Sequence, residues 1–498
     1  MKLKAKNIDI STGEILVALL NEYDAQKLDL YKGDRIRLKS AKKETVAVVD
    51  TTKSSHFVPK GSIGLFTEVS KELNVKQNSL LKVSYESKPK SIYYIKKKLN
   101  GEKLDYNEIH SIIKDIVDNK LTDIEMTYFV ASTYIHELTI KETVDLTTAI
   151  INTGKTLNLK KYPVVDKHCI GGVAGNRTTM VVVPIIAAAG LAMPKTSSRS
   201  ITSPAGTADT MEVMCNVSFK LDQLKKIIKK TNGCLVWGGA VNLAPADDKI
   251  IRVEHPVSLD PVGQLLASIL GKKKSVSASH LLIDIPVGKG AKIEKRSDAE
   301  KLKRRFEIIG KRLGFTMKVV ITDGRQPIGN GIGPGLEAID VLKVLRNDED
   351  APKDLRDKSI KLAGEILELA KKVKKGYGNK LAKDIIDSGM AYKKMVEIIK
   401  AQGGKIISPE KIKLAKLRYN VKAEKEGKIK NINGKIISKI AKVAGAPKDK
   451  GSGIFLNVHL GNKVKKDSVL YTIYSESEEK MNFAKELCGE LNKGITIK

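Results

Sequence analysis

Apolar positions along the chain follow different periods, and the changes between them divide the chain into regions. Up to about residue 86, short apolar runs alternate with tight turns such as the one at Gly33, which is typical of a small β domain. From residue 92 to about 160 the period is helical, and five aliphatic residues are spaced to share one helix face: Ile109, Ile112, Ile113, Ile116 and Val117. Thr122 and Thr139 each precede a glutamate at the capping-box spacing, so each predicts a helix start.

From Pro163 onward, short buried strands alternate with helices, which favours a largely parallel sheet. Predicted strands end near Val165 and lie at residues 235–237, 281–285 and 319–322, with a buried helix over 178–190. Ser297 has the capping-box spacing for a helix running to about Leu313, and Gly314 is its expected end. After about residue 415 the pattern returns to turns followed by strands.

These patterns predict a multidomain α/β protein, as expected for a chain of 498 residues, which is too long for one core. Residues from about 244 to 274 are helical and interrupt the α/β region, so we expect them to pack onto the earlier helices. The predicted domains are a β-barrel-like assembly domain at 1–86, a helical domain at 92–160 plus about 244–274, a large mixed α/β phosphate-binding domain with a mostly parallel sheet at 163–243 plus about 275–414, and a C-terminal α+β domain at 415–498.

Composition and charge limit the classes of protein to which the chain can belong. The formal net charge of +32 invites a basic nucleic-acid binder, but the lysines are scattered, aromatic residues make up 5%, and a Lys-rich solvated surface also fits a heat-adapted protein. The four cysteines lack metal-ligand spacing, which indicates a reducing compartment. The N-terminus lacks the apolar segment of a signal peptide, and the apolar run over 180–194 is too short to span a bilayer. We therefore expect a cytoplasmic protein without a membrane partner.

The stretch from Asp166 to Met211 holds two groups of anion-binding features. Glycines at 171, 172 and 175 allow backbone N–H groups to approach an anion, and the helix that follows adds partial positive charge. Further along, hydroxyl groups surround Arg199, and hydroxyls with a guanidinium form a second anion site. The stretch thus predicts a substrate that carries phosphate, or phosphate and a second anion. The alternative is that Arg199 and its neighbours form only a polar loop before a helix.

Four ordered motifs identify the chain as a member of the thymidine/pyrimidine-nucleoside phosphorylase family. They are DKHxxGG from Asp166, PKxSxR from Pro194, GTxD from Gly206 and ASILxKK from Ala267, and the resemblance runs from about Ile92 to the C-terminus. Within the family, the loop over 198–209 and the added N-terminal domain resemble the archaeal branch that acts on nucleoside monophosphates. The resemblance implies phosphorolysis of AMP, with CMP and UMP as further candidates, to free base and ribose 1,5-bisphosphate in nucleotide salvage. Inorganic phosphate is the expected co-substrate, and no cofactor or metal is expected.

The resemblance also implies roles for single residues. Phosphate-binding positions correspond to Lys167, Cys169, Ser197 and Thr207. Nucleotide-binding positions correspond to Gly172, Ser198, Arg199, Ser200, Ile201, Thr202, Ser203, Thr207, Ser268 and Lys292. Cys169 replaces the usual serine, and because a thiol is a poorer donor we expect weaker phosphate binding or more reliance on backbone N–H groups. A nucleophilic Cys169 beside His168 is the alternative.

By the same resemblance, Asp260 is the proton donor for the leaving base. A carboxyl that donates near neutral pH needs a raised pKa, and burial among Leu259, Val262 and Leu265 would raise it. If Asp260 and Ser268 were both helical, their spacing would place them on one face. The alternative is that Asp260 caps the helix that begins near Pro261.

Two enzymatic alternatives fit the residues less well. Pyrimidine-nucleoside (thymidine) phosphorylases carry a histidine at the position of Ser203 and an arginine before the position of Ser268, where Arg252 would align only with a gap. A phosphoribosyltransferase of the anthranilate type fits the Lys167-His168 pair less well.

Family members bind substrate between the helical and α/β domains and close by a hinge, for which residues 155–163 and 238–243 are candidates. The resemblance further implies homodimers that assemble into larger complexes through the N-terminal domain.

Overall fold

The computed structural model describes residues 1–13, 15–160, 163–200, 203–241 and 243–498. The chain forms two compact units, one of residues 1–154 and 244–271 and the other of residues 155–243 and 272–498. The chain therefore passes between the units after residues 154, 243 and 271. The last passage falls inside a helix, Val262–Ser275.

The first unit begins with a closed six-stranded barrel, as the sequence predicts. Its strands are β1 (Lys2–Asn7), β2 (Val17–Asn21), β3 (Arg35–Lys39), β4 (Glu44–Thr52), β5 (Ser62–Leu65) and β6 (Leu80–Tyr85), in the order β1-β5-β2-β4-β3-β6. Two helices accompany them, α1 (Glu22–Lys27) and α2 (Thr67–Leu73). Alternate residues fill the interior, among them Leu3, Ile36 and Leu38, each fully buried.

Helices form the remainder of the first unit. They are α3 (Ser91–Leu99), α4 (Tyr106–Val117), α5 (Asp123–Ile135) and α6 (Ile140–Thr153), and the later segments Pro245–Val257 and Val262–Ser275 pack on them through Ala246, Ile250 and Ala267. The predicted capping boxes at Thr122 and Thr139 are both present, with hydrogen bonds in both directions to Glu125 and Glu142. The predicted aliphatic face of α4 is buried from Ile109 to Ile116.

The α/β part of the second unit is built on parallel strands. Its elements in chain order are β7 (Val165–Cys169), α7 (Thr178–Ala188), β8 (Met193–Ser197), α8 (Thr207–Glu212), α9 (Leu221–Thr231), β9 (Gly233–Trp237), β10 (His280–Val287), α12 (Arg296–Arg312), β11 (Thr316–Asp323), β12 (Gly331–Ile332), α13 (Pro334–Arg346), α14 (Lys353–Leu369), α15 (Gly378–Asp387) and α16 (Met390–Ala401). The helices of the interrupting segment, α10 (Pro245–Val257) and α11 (Val262–Ser275), fall between β9 and β10 in the sequence. Strands β11, β10 and β7 pair in that order, β8 pairs with β9, and a parallel bridge from Val164 to Ala192 joins the two groups. The predicted parallel sheet is confirmed.

The structure agrees with some of the predicted helix boundaries and contradicts one of them. Helix α7 lies where the apolar run predicts a buried helix, and its core-facing residues are completely enclosed. The predicted cap at Ser297 is wrong, because α12 begins at Arg296 with Lys295 as its N-cap and without a capping side chain. Gly314 does follow the end of α12 with a φ of +74°, a left-handed conformation that favours glycine.

The C-terminal part forms an α+β layer with two sheets. Its elements are β13 (Leu417–Lys422), β14 (Gly427–Ile432), α17 (Gly434–Val443), β15 (Gly453–Leu456), β16 (Lys463–Val464), β17 (Val469–Ser475), α18 (Glu478–Glu490) and β18 (Ile495–Ile497). One sheet has the order β12-β15-β17-β13, so Gly331–Ile332 of the α/β region supplies its edge strand. No helix within the described residues is long and apolar enough to cross a membrane.

Candidate functional site

Strand β7 carries a tetrad of ionisable residues, Asp166 to Cys169, to the carboxyl edge of the parallel sheet, where ligands of open α/β sheets bind. Asp166 and Lys167 are fully buried, and His168 and Cys169 are half-buried. In the parallel register with β10, Cys169 lies opposite Asp284, which is also fully buried. The tetrad thus places ionisable groups in a position where water is largely excluded.

The ammonium group of Lys167 points to the beginning of α7. Its Nζ donates hydrogen bonds to Thr178 Oγ1 at 2.7 Å and to Thr179 Oγ1 at 3.3 Å. Burial lowers the pKa of Lys167. Since the N-terminus of a helix is itself partially positive, the two groups together create a local excess of positive charge that favours an anion.

The glycine turn after β7 brings two predicted nucleotide contacts together. Gly172 has a φ of +83°, and a Cβ atom added there would lie 2.2 Å from the backbone nitrogen of Lys292. Only glycine therefore allows the turn to lie against residues 291–292. The Lys292 side chain itself is exposed.

Cys169 is a protonated thiol rather than an activated nucleophile. Its Sγ accepts a hydrogen bond from Asn176 Nδ2 at 3.3 Å, and burial raises the pKa of the thiol to about 11. Burial and the neighbouring lysines hold the pKa of His168 well below its usual value, so His168 is neutral and does not pair as a cation with a thiolate. The alternative of a nucleophilic Cys169 is thereby disfavoured.

Arg199 has carboxylate partners in the structure. Its Nη1 and Nη2 donate to Glu212 at 2.8 and 2.5 Å, and Nη1 lies 3.2 Å from Asp209 Oδ1. The guanidinium also lies 5.0 Å from the ring centroid of Trp237. The hydrogen bonds to Glu212 and Asp209 raise the pKa of Arg199 and hold the loop against α8.

Asp209 organises the loop that contains the predicted nucleotide-binding serines. Its Oδ2 accepts hydrogen bonds from the backbone nitrogens of Ser200 at 2.6 Å and Gly206 at 2.9 Å. Within the loop, Ser200 Oγ donates to the carbonyl oxygen of Ser203, and Ser203 Oγ donates to that of Ala205 at 2.8 Å. The predicted contacts at Ile201 and Thr202 lie outside the described residues.

The predicted phosphate-binding hydroxyls differ in their surroundings. Ser197 Oγ, at the end of β8, is buried and has no hydrogen-bond partner among the described residues. A buried hydroxyl without a partner is costly, and this one lies among the residues predicted to bind phosphate. Thr207 is half-buried as the first residue of α8, and Ser198 is exposed in the loop before it.

A buried ionic cluster lies beside these residues, and the sequence did not assign it a role. Lys273 Nζ lies 2.8 Å from Asp166 Oδ2, and Lys195 Nζ lies 3.7 Å from Asp166 Oδ1. On β10, Asp284 accepts from Thr322 Oγ1 at 2.6 Å and lies 3.4 Å from Lys358 Nζ. Both Lys195 and Lys273 stand within the quoted family motifs, which was the available signal.

Asp260 and Ser268 belong to the first unit. Asp260 lies in the connection between α10 and α11 and is exposed, so the expected burial among Leu259, Val262 and Leu265 is wrong. Because Pro261 precedes the helix, which starts at Val262, Asp260 and Ser268 do not share a helix face. Ser268 is half-buried on α11. Among all described residues, no group of three or more His, Cys, Asp or Glu side chains is placed to hold a metal ion.

Comparisons with known proteins cover nearly the whole chain. The Glycosyl transferase family a/b domain matches residues 161–392, the helical bundle domain of that family matches 92–154, and the Pyrimidine nucleoside phosphorylase C-terminal domain matches 428–498. An AMP phosphorylase of Methanococcus vannielii is 46% identical over 97% of this chain and 95% of its own length. An AMP phosphorylase of Thermococcus kodakarensis is 45% identical over the same shares of each chain.

A solved structure extends the likeness at the level of fold alone. The crystal structure of anthranilate phosphoribosyltransferase from Thermus thermophilus aligns with a TM-score of 0.52 and 17% sequence identity. The alignment covers 62% of this chain and 99% of the other. The architecture is shared, and at this identity the likeness carries no argument about activity.

Proposed function

The chain belongs to the AMP phosphorylase family, and we propose that it catalyses the phosphorolysis of AMP by inorganic phosphate. A phosphate oxygen forms a bond to C1′ of the ribose while the bond from C1′ to the base breaks, and the departing electron pair is neutralised by a proton. The products are adenine and ribose 1,5-bisphosphate. The observation that carries the proposal is the identity of 46% over 97% of the chain.

Lys167, Cys169, Ser197 and Thr207 are proposed to hold the phosphate nucleophile. Support comes from the buried ammonium of Lys167 at the beginning of α7 and from the unpartnered hydroxyl of Ser197. The thiol of Cys169 keeps its proton at neutral pH and can donate it in a weak hydrogen bond. Fixing the nucleophile in this way lowers the entropic part of the barrier, by about 7 to 11 kcal/mol in favourable cases.

The nucleotide is proposed to bind at Gly172, Lys292, Ser268, Thr207 and the loop over 198–203. Hydroxyl groups of the loop and the guanidinium of Arg199 are the proposed donors to the 5′-phosphate, and Arg199 also holds the loop through Glu212 and Asp209. Lys292 supplies an exposed positive charge next to Gly172.

Asp260 is proposed to donate the proton to the leaving base. Because the carboxyl is exposed, bound substrate has to exclude water from it before it can donate a proton to the base. CMP and UMP are proposed as further substrates, since the phosphate and ribose contacts do not involve the base. We also propose that the enzyme acts in the cytoplasm, in nucleotide salvage.

Release of free base from a panel of substrates tests this function. The protein is incubated with AMP, CMP, UMP, GMP and the matching nucleosides, including thymidine, with and without phosphate. We expect phosphate-dependent release of adenine from AMP. Release from thymidine and not from AMP would instead support a pyrimidine-nucleoside phosphorylase, and steeply salt-dependent nucleic-acid binding without base release would support the basic binding protein.

A further inference from the structure

Asp166, Lys195 and Lys273 form a buried cluster in which two ammonium groups share one carboxylate. The three side chains come from β7, β8 and α11 and are 0%, 6% and 3% exposed. The distances to the carboxylate oxygens are 2.8 Å from Lys273 Nζ and 3.7 Å from Lys195 Nζ, which also donates to the carbonyl oxygen of Thr196 at 2.9 Å. A buried group with two cations and one anion carries an uncompensated charge, which is costly in the absence of a second anion.

The groups that face Lys195 do not supply that second anion. Those on the elements packed around it are Asp166, Lys167 and His168 of β7, Lys273 of α11 and Cys234 of β9. Burial raises the pKa of Cys234 to about 12, and burial with the lysines holds the pKa of His168 well below its usual value, so both are neutral near pH 7. The surrounding charge is therefore net positive.

Burial opposes the protonation of Lys195, one of the two lysines that share the Asp166 carboxylate. Burial lowers the pKa of Lys195 to about 7, an effect that Asp166 opposes and Lys273 and Lys167 reinforce. Lys273 holds the shorter ion pair with the carboxylate. Without a bound anion, at neutral to alkaline pH, loss of one proton from Lys195 leaves a neutral Lys–Asp pair with a lysine amine beside it.

Lys195 also lies close in the fold to the proposed phosphate site. It stands two residues before Ser197 on β8, so the two side chains lie on the same face of the strand. Lys167, on the neighbouring strand β7, lies close enough to Lys195 to contribute to the lowering of its pKa. A dianion held by Lys167 and Ser197 would supply the negative charge that the cluster lacks.

We propose that phosphate binds to this site together with a proton from solvent, which Lys195 takes up as the dianion arrives. Lys195 is then a positioning and charge-matching residue, and its effect on phosphate is electrostatic. This inference rests on the proposed function, since it takes phosphate binding by Lys167 and Ser197 as given. Its consequence is that phosphate affinity falls as pH rises, because Lys195 is cationic below its pKa and neutral above it.

The KM for phosphate, expressed as dianion concentration and measured from about pH 6 to about pH 9 with saturating AMP, tests the inference. We expect KM to rise about tenfold per pH unit above the pKa of Lys195. An effect of pH on the chemical step alone would change kcat and leave KM unchanged. A dianion KM that stays constant across the range would overturn the inference while leaving the proposed function intact.

Variants assign the pH dependence to Lys195. Lys195→Arg keeps the charge at all these pH values and should give a low, pH-independent KM, whereas Lys195→Gln should give a high, pH-independent KM. Lys274→Arg is the matched control, since burial also lowers the pKa of Lys274, whose Nζ lies over the Phe315 ring at 4.6 Å. The control should keep the wild-type profile. A wild-type profile in either Lys195 variant would also overturn the inference, and if neither variant folds the wild-type profile alone decides.

Discussion

At the scale of one residue, the burial of the Ser197 hydroxyl supports its proposed contact with phosphate. It is buried at the end of β8 and has no hydrogen-bond partner among the described residues. A group in that situation lowers stability in the free protein and gains its hydrogen bond when ligand binds. The sequence predicted the role of Ser197 through the family motif, but the burial of its hydroxyl follows from the packing of β8 and could not be predicted.

Ser197→Ala should raise the KM for phosphate about three- to tenfold, because one hydrogen bond to the anion is lost. The melting temperature should stay the same or increase, since an unpartnered buried polar group is removed. Ser359→Ala is the control: Ser359 Oγ is likewise buried and without a partner among the described residues, but it lies on α14. An unchanged KM in Ser197→Ala would remove Ser197 from the phosphate site.

Asp260→Asn should lower kcat by about a hundredfold or more, the usual worth of a positioned proton donor, while the KM for AMP changes little. Steady-state release of adenine measures both quantities. Asp145→Asn provides a control in the same unit, because Asp145 pairs with Lys141 on α6. Turnover by Asp260→Asn at the wild-type rate would exclude Asp260 as the donor.

At the scale of elements, the sequence predicted the glycine turn after β7 but not the segment against which the turn packs. The motif predicted a turn that approaches an anion, and the positive φ angles at Gly171 and Gly172 agree with that. What the motif could not predict is that Gly172 lies against residues 291–292, since such a contact is set by tertiary packing. The failed cap at Ser297 has a similar cause, because α12 starts one residue earlier, at Arg296, without any capping side chain.

Gly172→Ala and Gly171→Ala form a matched pair that tests the close approach. Both glycines have positive φ, but an added Cβ has nothing within 4 Å at Gly171 and meets the Lys292 nitrogen at 2.2 Å at Gly172. We expect Gly171→Ala to show only the modest cost of backbone strain and Gly172→Ala to lose at least about tenfold more in kcat/KM for AMP. Equal losses in the two variants would mean that this packing is unimportant for the nucleotide.

At the scale of the whole molecule, the pattern of apolar positions predicted the barrel, the helical region, the parallel sheet and the C-terminal strands. It also predicted that the segment around residues 244–274 is helical, and α10 and α11 lie there. The participation of β12 in the C-terminal sheet was not predicted, because two residues carry no periodic signal. The buried cluster of Asp166, Lys195 and Lys273 was likewise not predicted, since the three residues are distant in sequence.

Assembly is a further prediction at this scale. We propose homodimers that associate further through the barrel formed by residues 1–86. Light scattering of the full chain should therefore give a mass above that of a dimer, and a chain lacking residues 1–86 should give a dimer. Because Arg35 of the barrel is buried and pairs with Glu125 of α5, circular dichroism has to confirm that the shortened chain is folded. An unchanged mass would contradict assembly through the barrel.

The central claim is that this chain cleaves AMP with inorganic phosphate, and product analysis of one reaction tests it most directly. Purified protein is incubated with AMP and phosphate, and the products are separated and identified by mass. We predict adenine and ribose 1,5-bisphosphate in equal amounts, with neither formed when phosphate is omitted. Adenine with ribose 5-phosphate, formed without phosphate, would show hydrolysis and contradict the claim, as would complete absence of adenine from a folded protein.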